Sequence, residues 1–357
     1  MSYVLAFAGF AALVILHEAG HFAAAKAVGM RVERFSLFFG PLLVKARRGE
    51  TEYGIGPIPL GGYVKITGMN PNEELDPAVA HRAYYRQPVW KRVVVILAGP
   101  AVNLVIAFAL LWGIYTIHGE PTVTSKVAPV ALKPPAAGRL RTGDRILSVD
   151  GRAGGPDVIR RQIGSHHCAG APSQGCQSVT PAVIEVQRGT GRIRLVLRPR
   201  YDARAKRLLI GFAFDEEIKR YPGLSGAGHS VGTMWHVTTA TLSVIGRIFE
   251  PAQRKQLSSV VGGYKRTQES FAHDTTQALF VLALISLSLA VINLFPFLPL
   301  DGGHVFWALA EKVRRRPIPF SVMERASVVG FMLVVLIFVI GLTNDLNRFS
   351  HGGFGIR

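Results

Sequence analysis

The sequence predicts an α-helical integral membrane protein with four transmembrane helices, a membrane-reentrant β-hairpin and one inserted β-rich domain. Three observations lead there. Four mostly apolar runs, at 3–25, 93–117, 278–300 and 326–342, approach the ~20 residues that a helix needs to cross a bilayer. A stretch behind the first run alternates short β-prone pieces with Gly and Pro, and residues 122 to about 215 do the same in a more polar composition.

Composition agrees. Of 357 residues, 49% are hydrophobic, and the mean hydropathy is +0.27, which suits a lipid bilayer as surroundings. A net charge of +18 raises nucleic acid as a partner. Long apolar runs separate the basic residues, however, and no aromatic-laced basic patch forms. Nucleic acid is therefore set aside, and the cations read as orientation signals beside spans.

Residues 1–34 hold the first span. A cleaved signal peptide would need a basic start and small residues at its end. No basic residue precedes this run, and His17-Glu18 stands where cleavage would fall, so the span is read as retained. Residues 35–92 form a β-loop followed by a cytoplasmic segment. Irregular backbone at membrane depth is tolerated only where protein or a wet cavity surrounds it, hence the expected reentrant hairpin.

The second span takes 93–117, and 118–215 form the β-rich domain, with strands in "DRILSVDG", "AVIEVQRG" and "RIRLVLRPR". Cys168 and Cys176 share one polar loop there. It reads as an ordinary mobile loop, with a disulfide and a His/Cys metal site as alternatives. In 216–277, Val231, Trp235, Leu242, Ile245 and Phe249 recur at helical spacing, for an amphipathic helix at the membrane interface or packed in a domain.

The third span runs over 278–301, a cytoplasmic loop over 302–325, the fourth span over 326–345 and a tail over 346–357. Eleven Lys and Arg lie between spans one and two and five between spans three and four. The ends are poor in them. Positive-inside bias then places both termini and the β-rich domain outside the cytoplasm.

"ILHEAGHFAAAK" carries the chemistry. His17 and His21 are four apart and share a helix face, and Glu18 stands beside them. In H-E-x-x-H the histidines hold zinc and the glutamate is the general base. An ionisable residue within a span is costly and marks a functional site. Catalytic zinc takes a third protein ligand, and "NLFPFLPLDGGH" offers Asp301 at matching depth.

These motifs resemble the site-2 protease family of intramembrane zinc metalloproteases, in the branch of the bacterial regulator-of-sigma-E protease. "GIGPIPLGGYVKITG" is similar to that family's reentrant β-loop and "LAGPAVNLVIA" to its second-span motif. "PAAGRLRTGDRILSVDGR" looks like the opening of a PDZ domain, which makes the inserted domain PDZ-like. The resemblance implies one Zn²⁺ per chain held by His17, His21 and Asp301, with Glu18 as catalytic acid/base. It assigns Asn293, Pro296 and Pro299 to an unwound substrate. Asn103 either faces substrate or bonds helices together.

Substrates implied are single-span membrane proteins, such as a membrane-bound anti-sigma factor or remnant signal peptides. The setting implied is the bacterial inner membrane, with the active site in its cytoplasmic half. The PDZ-like domain would bind or exclude substrate ectodomains or C-termini. Some family members carry two such domains, whereas this chain has room for one. Two rival readings are a metal transporter, for which an internal repeat is missing, and a scaffold, which has no need of Glu18.

Overall fold

A computed structural model of the chain describes residues 2–350 apart from 71, 72, 248, 249, 251–259 and 317. It divides into two units, Met1–Ile117 with Tyr221–Arg357, and His118–Arg220.

In the first unit, apolar composition and helix-forming residues produce α1 (Ser2–Ala27), which stops at Gly29 in the left-handed region. Met30 N–H bonds back to Ala25 O and Gly29 N–H to Lys26 O, a pairing that closes a helix end with glycine at this place. Helix α2 (Val89–Gly113) follows and continues into a π-turn over Ile114–His118. Later come α4 (Gly223–Gly246), α5 (Val260–His273), α6 (Thr275–Asn293), α7 (Asp301–Arg314) and α8 (Phe320–Ser350), with α3 in the second unit. Among the described residues, four helical stretches are long and apolar enough to cross a membrane: Ser2–Ala27, Val89–His118, Thr275–Asn293 and Ser321–Asn347.

Several boundaries differ from expectation for identifiable reasons. The third span ends at Asn293 instead of running on to Asp301. Pro296 and Pro299 lack the N–H that would extend the ladder, so 294–300 are irregular and Asp301 opens a new helix, α7, inside the expected loop at 302–325. The β-loop is larger than a hairpin. Strands β1 (Val32–Phe39), β2 (Val44–Arg48), β3 (Thr51–Ile55) and β4 (Ile58–Ile66) form one sheet in the order β2-β3-β1-β4, with β1 and β3 parallel. Among the described residues, β4 lies at one end of this sheet and pairs with β1 alone.

Helix α4 starts earlier than the periodicity indicated. Its Val231, Trp235 and Leu242 are exposed, while Met234 and Val237 pack against the buried cluster of Ala107, Leu287 and Val291. Phe249 lies outside the described residues, as do 251–259.

A cluster of Ala25, Met30, Val32, Ile66, Tyr84, Val95 and Ile96 packs the end of α1 and the sheet against α2, and Val305 of α7 joins it. It supports the floor of the site described below. At ~25 cal/mol per Å² of buried apolar surface, each fully buried aliphatic chain there contributes roughly 1.5–3 kcal/mol.

The second unit holds a sheet of β12 (Phe214–Lys219), β5 (Glu120–Val127), β6 (Arg145–Val149), β8 (Ala182–Arg188) and β9 (Gly191–Leu197) in that order. The short β7 (Arg152–Ala153) pairs with β6, and β10 (Arg200–Asp202) pairs with β11 (Arg207–Leu209). "AVIEVQR" alternates as a one-sided strand should, burying Ala182, Ile184 and Val186 while Glu185 and Gln187 face out. With Ile159 and Ile163 of α3 (Pro156–Gly164), these residues make the core. The unit runs to Arg220 and not to 215, because β12 pairs with β5. Cys168 and Cys176 form a disulfide with Cα atoms 6.2 Å apart, so the loop between them is tied and holds no free thiol for a metal.

Asp144 is 2% exposed and takes two bonds from Arg188, at 2.8 and 2.7 Å, and one from the Arg141 amide. Burial alone would raise its pKa, but these donors hold the carboxyl below its ordinary value. Its contribution to stability is therefore present above the unfolded pKa near 3.8 and is lost as pH falls through the lower folded value. Arg188→Ala should cost the isolated 118–220 unit about 3 kcal/mol at neutral pH, since it strands a buried carboxylate. Urea unfolding should show the gap between the two proteins closing once acid protonates Asp144.

Candidate metal centre

The 3.6-residue helical period brings His17 and His21 of α1 to one side of that helix, and both are buried, at 6% and 7% exposure. Asp301, the first residue of α7, meets them from the other end of the chain. Its Oδ2 lies 3.2 Å from His17 Nε2 and 3.4 Å from His21 Nε2, and the two Nε2 atoms are 3.2 Å apart. Asp301 Oδ2 is buried, and no hydrogen bond satisfies it.

Two nitrogens and one carboxylate oxygen, all within 4.8 Å of one another, match the donor set and count of a catalytic zinc site. A buried oxygen without a hydrogen bond, facing two imidazole nitrogens, is an orphaned acceptor that a cation would satisfy. The residues present therefore fit zinc.

Local sequence explains how Asp301 arrives there. Beyond the prolines, the chain folds back so that Gly302 and Gly303 press on the backbone of 294–298; a Cβ on Gly303 would stand 2.5 Å from Leu298 N. Only glycine fits there, and this contact sets the start of α7. An acidic residue in the first turn also suits the positive end of the helix dipole. Arg92 of α2 and Glu311 of α7 form an ion pair at 2.6 Å, further tying the two helices.

Helix α2 orients the histidines from behind. His21 Nδ1–H donates to Val95 O at 2.9 Å, because a carbonyl can only accept. That leaves the His21 Nε2 lone pair toward Asp301. One turn along, Gly99 lies against the His21 ring, and a Cβ there would collide with it. One turn further, Asn103 is fully buried with its carboxamide 3.0 Å from His17 Nδ1.

A cavity of about 440 Å³ opens on the group. His17, Glu18, His21 and Asp301 line it with Asn293, Pro299 and His304. Residues 61–64 of β4 form one wall, and Glu18 approaches Gly62, where a Cβ would stand 3.1 Å from Glu18 Cγ. Asn293 Nδ2 lies 3.4 Å from His17 Nε2. Pro296 and Asn103 stand outside the lining. Three contributors were not read from the sequence. Val95 acts through its backbone, which no residue type reveals. Gly99 is legible only once a ring is known to cross it. His304 lies three residues beyond Asp301, and that helical spacing was its signal.

Residues 5–337 match the family described as peptidase family M50. The chain is similar to zinc metalloprotease Rip1 of Mycobacterium tuberculosis, at 31% identity over 93% of this chain and 94% of that protein. The Rip1 protein of Mycobacterium bovis is 32% identical, again over 93% and 94%. That of Mycolicibacterium smegmatis is 29% identical over 94% and 96%.

The crowding at Gly99 makes a sharp expectation. Gly99→Ala should reduce zinc in the purified protein by roughly tenfold or more, by displacing the His21 ring. Gly113→Ala on the same helix should keep it, since a Cβ there meets nothing within 4 Å. Metal analysis of both variants, folded and purified alike, checks this.

Proposed function

The chain belongs to peptidase family M50 and is an intramembrane zinc metalloprotease, and from that premise we propose that it cuts single-span membrane proteins within or near their spans. Substrates of this type include a membrane-bound anti-sigma factor or remnant signal peptides, cut in regulated intramembrane proteolysis. The observation that carries the reading is the meeting of His17, His21 and Asp301 beside Glu18 in one cavity of the helical unit.

In this reading His17, His21 and Asp301 hold the zinc. When bound, zinc supplies a Lewis acid that makes water nucleophilic near neutral pH and polarises the peptide carbonyl. Glu18 takes the proton of the attacking water and returns it to the leaving amine, which makes it base and then acid in one turnover. Asn293 and Pro299 line the cavity where a peptide would lie, and Pro296 shapes the bend between them.

A helical substrate must unwind first, because its carbonyls are bonded within its own helix. The outer edge of β4, which pairs with no other strand among the described residues, supports capture of the unwound segment by strand addition. Exposed Phe39, Val44, Ile55 and Ile58 on the sheet, with Leu43 beside it, favour a reentrant position, where lipid would cover them.

The disulfide Cys168–Cys176 favours an oxidising compartment for residues 118–220, and the basic loops favour the opposite side for 302–325. Both termini would then be extracytoplasmic. We read 118–220 as PDZ-like. Its groove of about 350 Å³ between α3 and residues 207–214 fits a module that binds or excludes substrate ectodomains or C-termini.

Glu18→Gln should keep zinc and lower cleavage of a tagged single-span substrate by at least ~100-fold, the usual range for a lost general base. Wild-type turnover by that variant sinks the mechanism. In a background lacking both cysteines, single cysteines at 76 and 315 should label only after the inner face is opened, and one at 152 should label in intact cells. Reversed labelling overturns the orientation. Replacing 118–220 by a flexible linker should leave hydrolysis of an already-trimmed substrate intact and admit some of the untrimmed one. Loss of the first, in a variant that still binds zinc, would make the module a recruiter and not a gate.

A further inference from the structure

The two histidines are backed differently. Val95 O accepts the His21 Nδ1–H, so backbone alone settles which nitrogen of His21 carries its proton. Among the described residues, the partner of His17 Nδ1 is a side chain and not a backbone carbonyl. Its Nδ1 faces the Asn103 carboxamide at 3.0 Å, and Asn103 is 0% exposed and absent from the cavity lining, out of reach of a peptide. We propose that Asn103 is a positioning residue, which accepts the His17 Nδ1–H through its Oδ1 and so turns the Nε2 lone pair of His17 toward the metal. The proposal rests on the ligand reading given above.

The chemistry is restrictive. A neutral imidazole that offers one nitrogen to a metal carries its proton on the other, and that N–H needs an acceptor. The carboxamide is the group in place to provide one. In this orientation its Nδ2 faces Nδ1, and Oδ1 is buried with no hydrogen bond. The two ends of a carboxamide are alike in shape and are assigned from their surroundings. Turned by half a rotation, Oδ1 meets the Nδ1–H and gains the donor it lacks. The backbone is held for this: Ser286 of α6, itself fully buried, donates its Oγ–H to Asn103 O at 2.9 Å. Val95, Gly99 and Asn103 are four apart and share one face of α2, which thereby serves both ligands in turn.

The test measures zinc affinity of the purified full-length chain by competition with a chelator of known affinity, on protein that elutes as a folded species. Asn103→Leu keeps the volume and removes the acceptor, and it should weaken zinc by about 10–100-fold. Asn103→Asp keeps an acceptor for the same N–H and should stay near wild type. If Asn103→Leu does not fold, Asn103→Ala is read in its place. Wild-type affinity in the Leu or Ala variant overturns the proposal, and so does an Asp variant that loses as much as Leu, since shape and not acceptance would then matter. His17→Ala runs alongside: unchanged zinc there would refute the ligand reading itself. Loss in His17→Ala with full affinity in Asn103→Leu refutes only the positioning role.

Discussion

Ionisable groups held among apolar helices are tolerated only when each finds a partner, and this requirement organises the helical unit around His17, His21 and Asp301. Two imidazoles on α1 could not remain buried alone. Their outer nitrogens are met by α2, through Val95 O and the Asn103 carboxamide, and their inner nitrogens converge on a carboxylate delivered by α7. Three helices that are distant in sequence are therefore committed to one place. The small residues between them, Gly99, Gly302 and Gly303, exist to let ring and backbone come that close.

The same requirement explains why the third apolar run stops short. A straight helix through 300 would keep its backbone bonded internally and carry Asp301 onward along its own axis. Prolines at 296 and 299 prevent that, and the chain turns back on itself before α7 starts. The turn sets Asp301 at the mouth of a new helix and leaves Asn293 and Pro299 on the cavity wall. Broken backbone within an apolar unit is costly unless protein or a cavity surrounds it, and here both do.

The His118–Arg220 unit follows different physics. It has its own apolar core, a polar exterior, a buried ion pair at Asp144–Arg188 and a disulfide. Its stability answers to acid through Asp144, whereas the helical unit is organised by the meeting of His17, His21 and Asp301.

Much of this was legible in the sequence because it rests on local regularities. Apolar run length marked four spans, the period of 3.6 put His17 and His21 on one face, and alternation in "AVIEVQR" marked a buried strand. Asp301 was legible too, as a lone carboxylate at matching depth. Tertiary structure decided what depends on approach through space. It pairs Cys168 with Cys176, widens a hairpin into a four-stranded sheet by the parallel pairing of β1 with β3, and extends the second unit to Arg220. It also places Asn103 behind His17 instead of in the cavity. Residue type and spacing report which groups are present and which face of an element they share. Which group bonds to which across elements is settled only by packing, since a backbone carbonyl such as Val95 O carries no sequence signature at all.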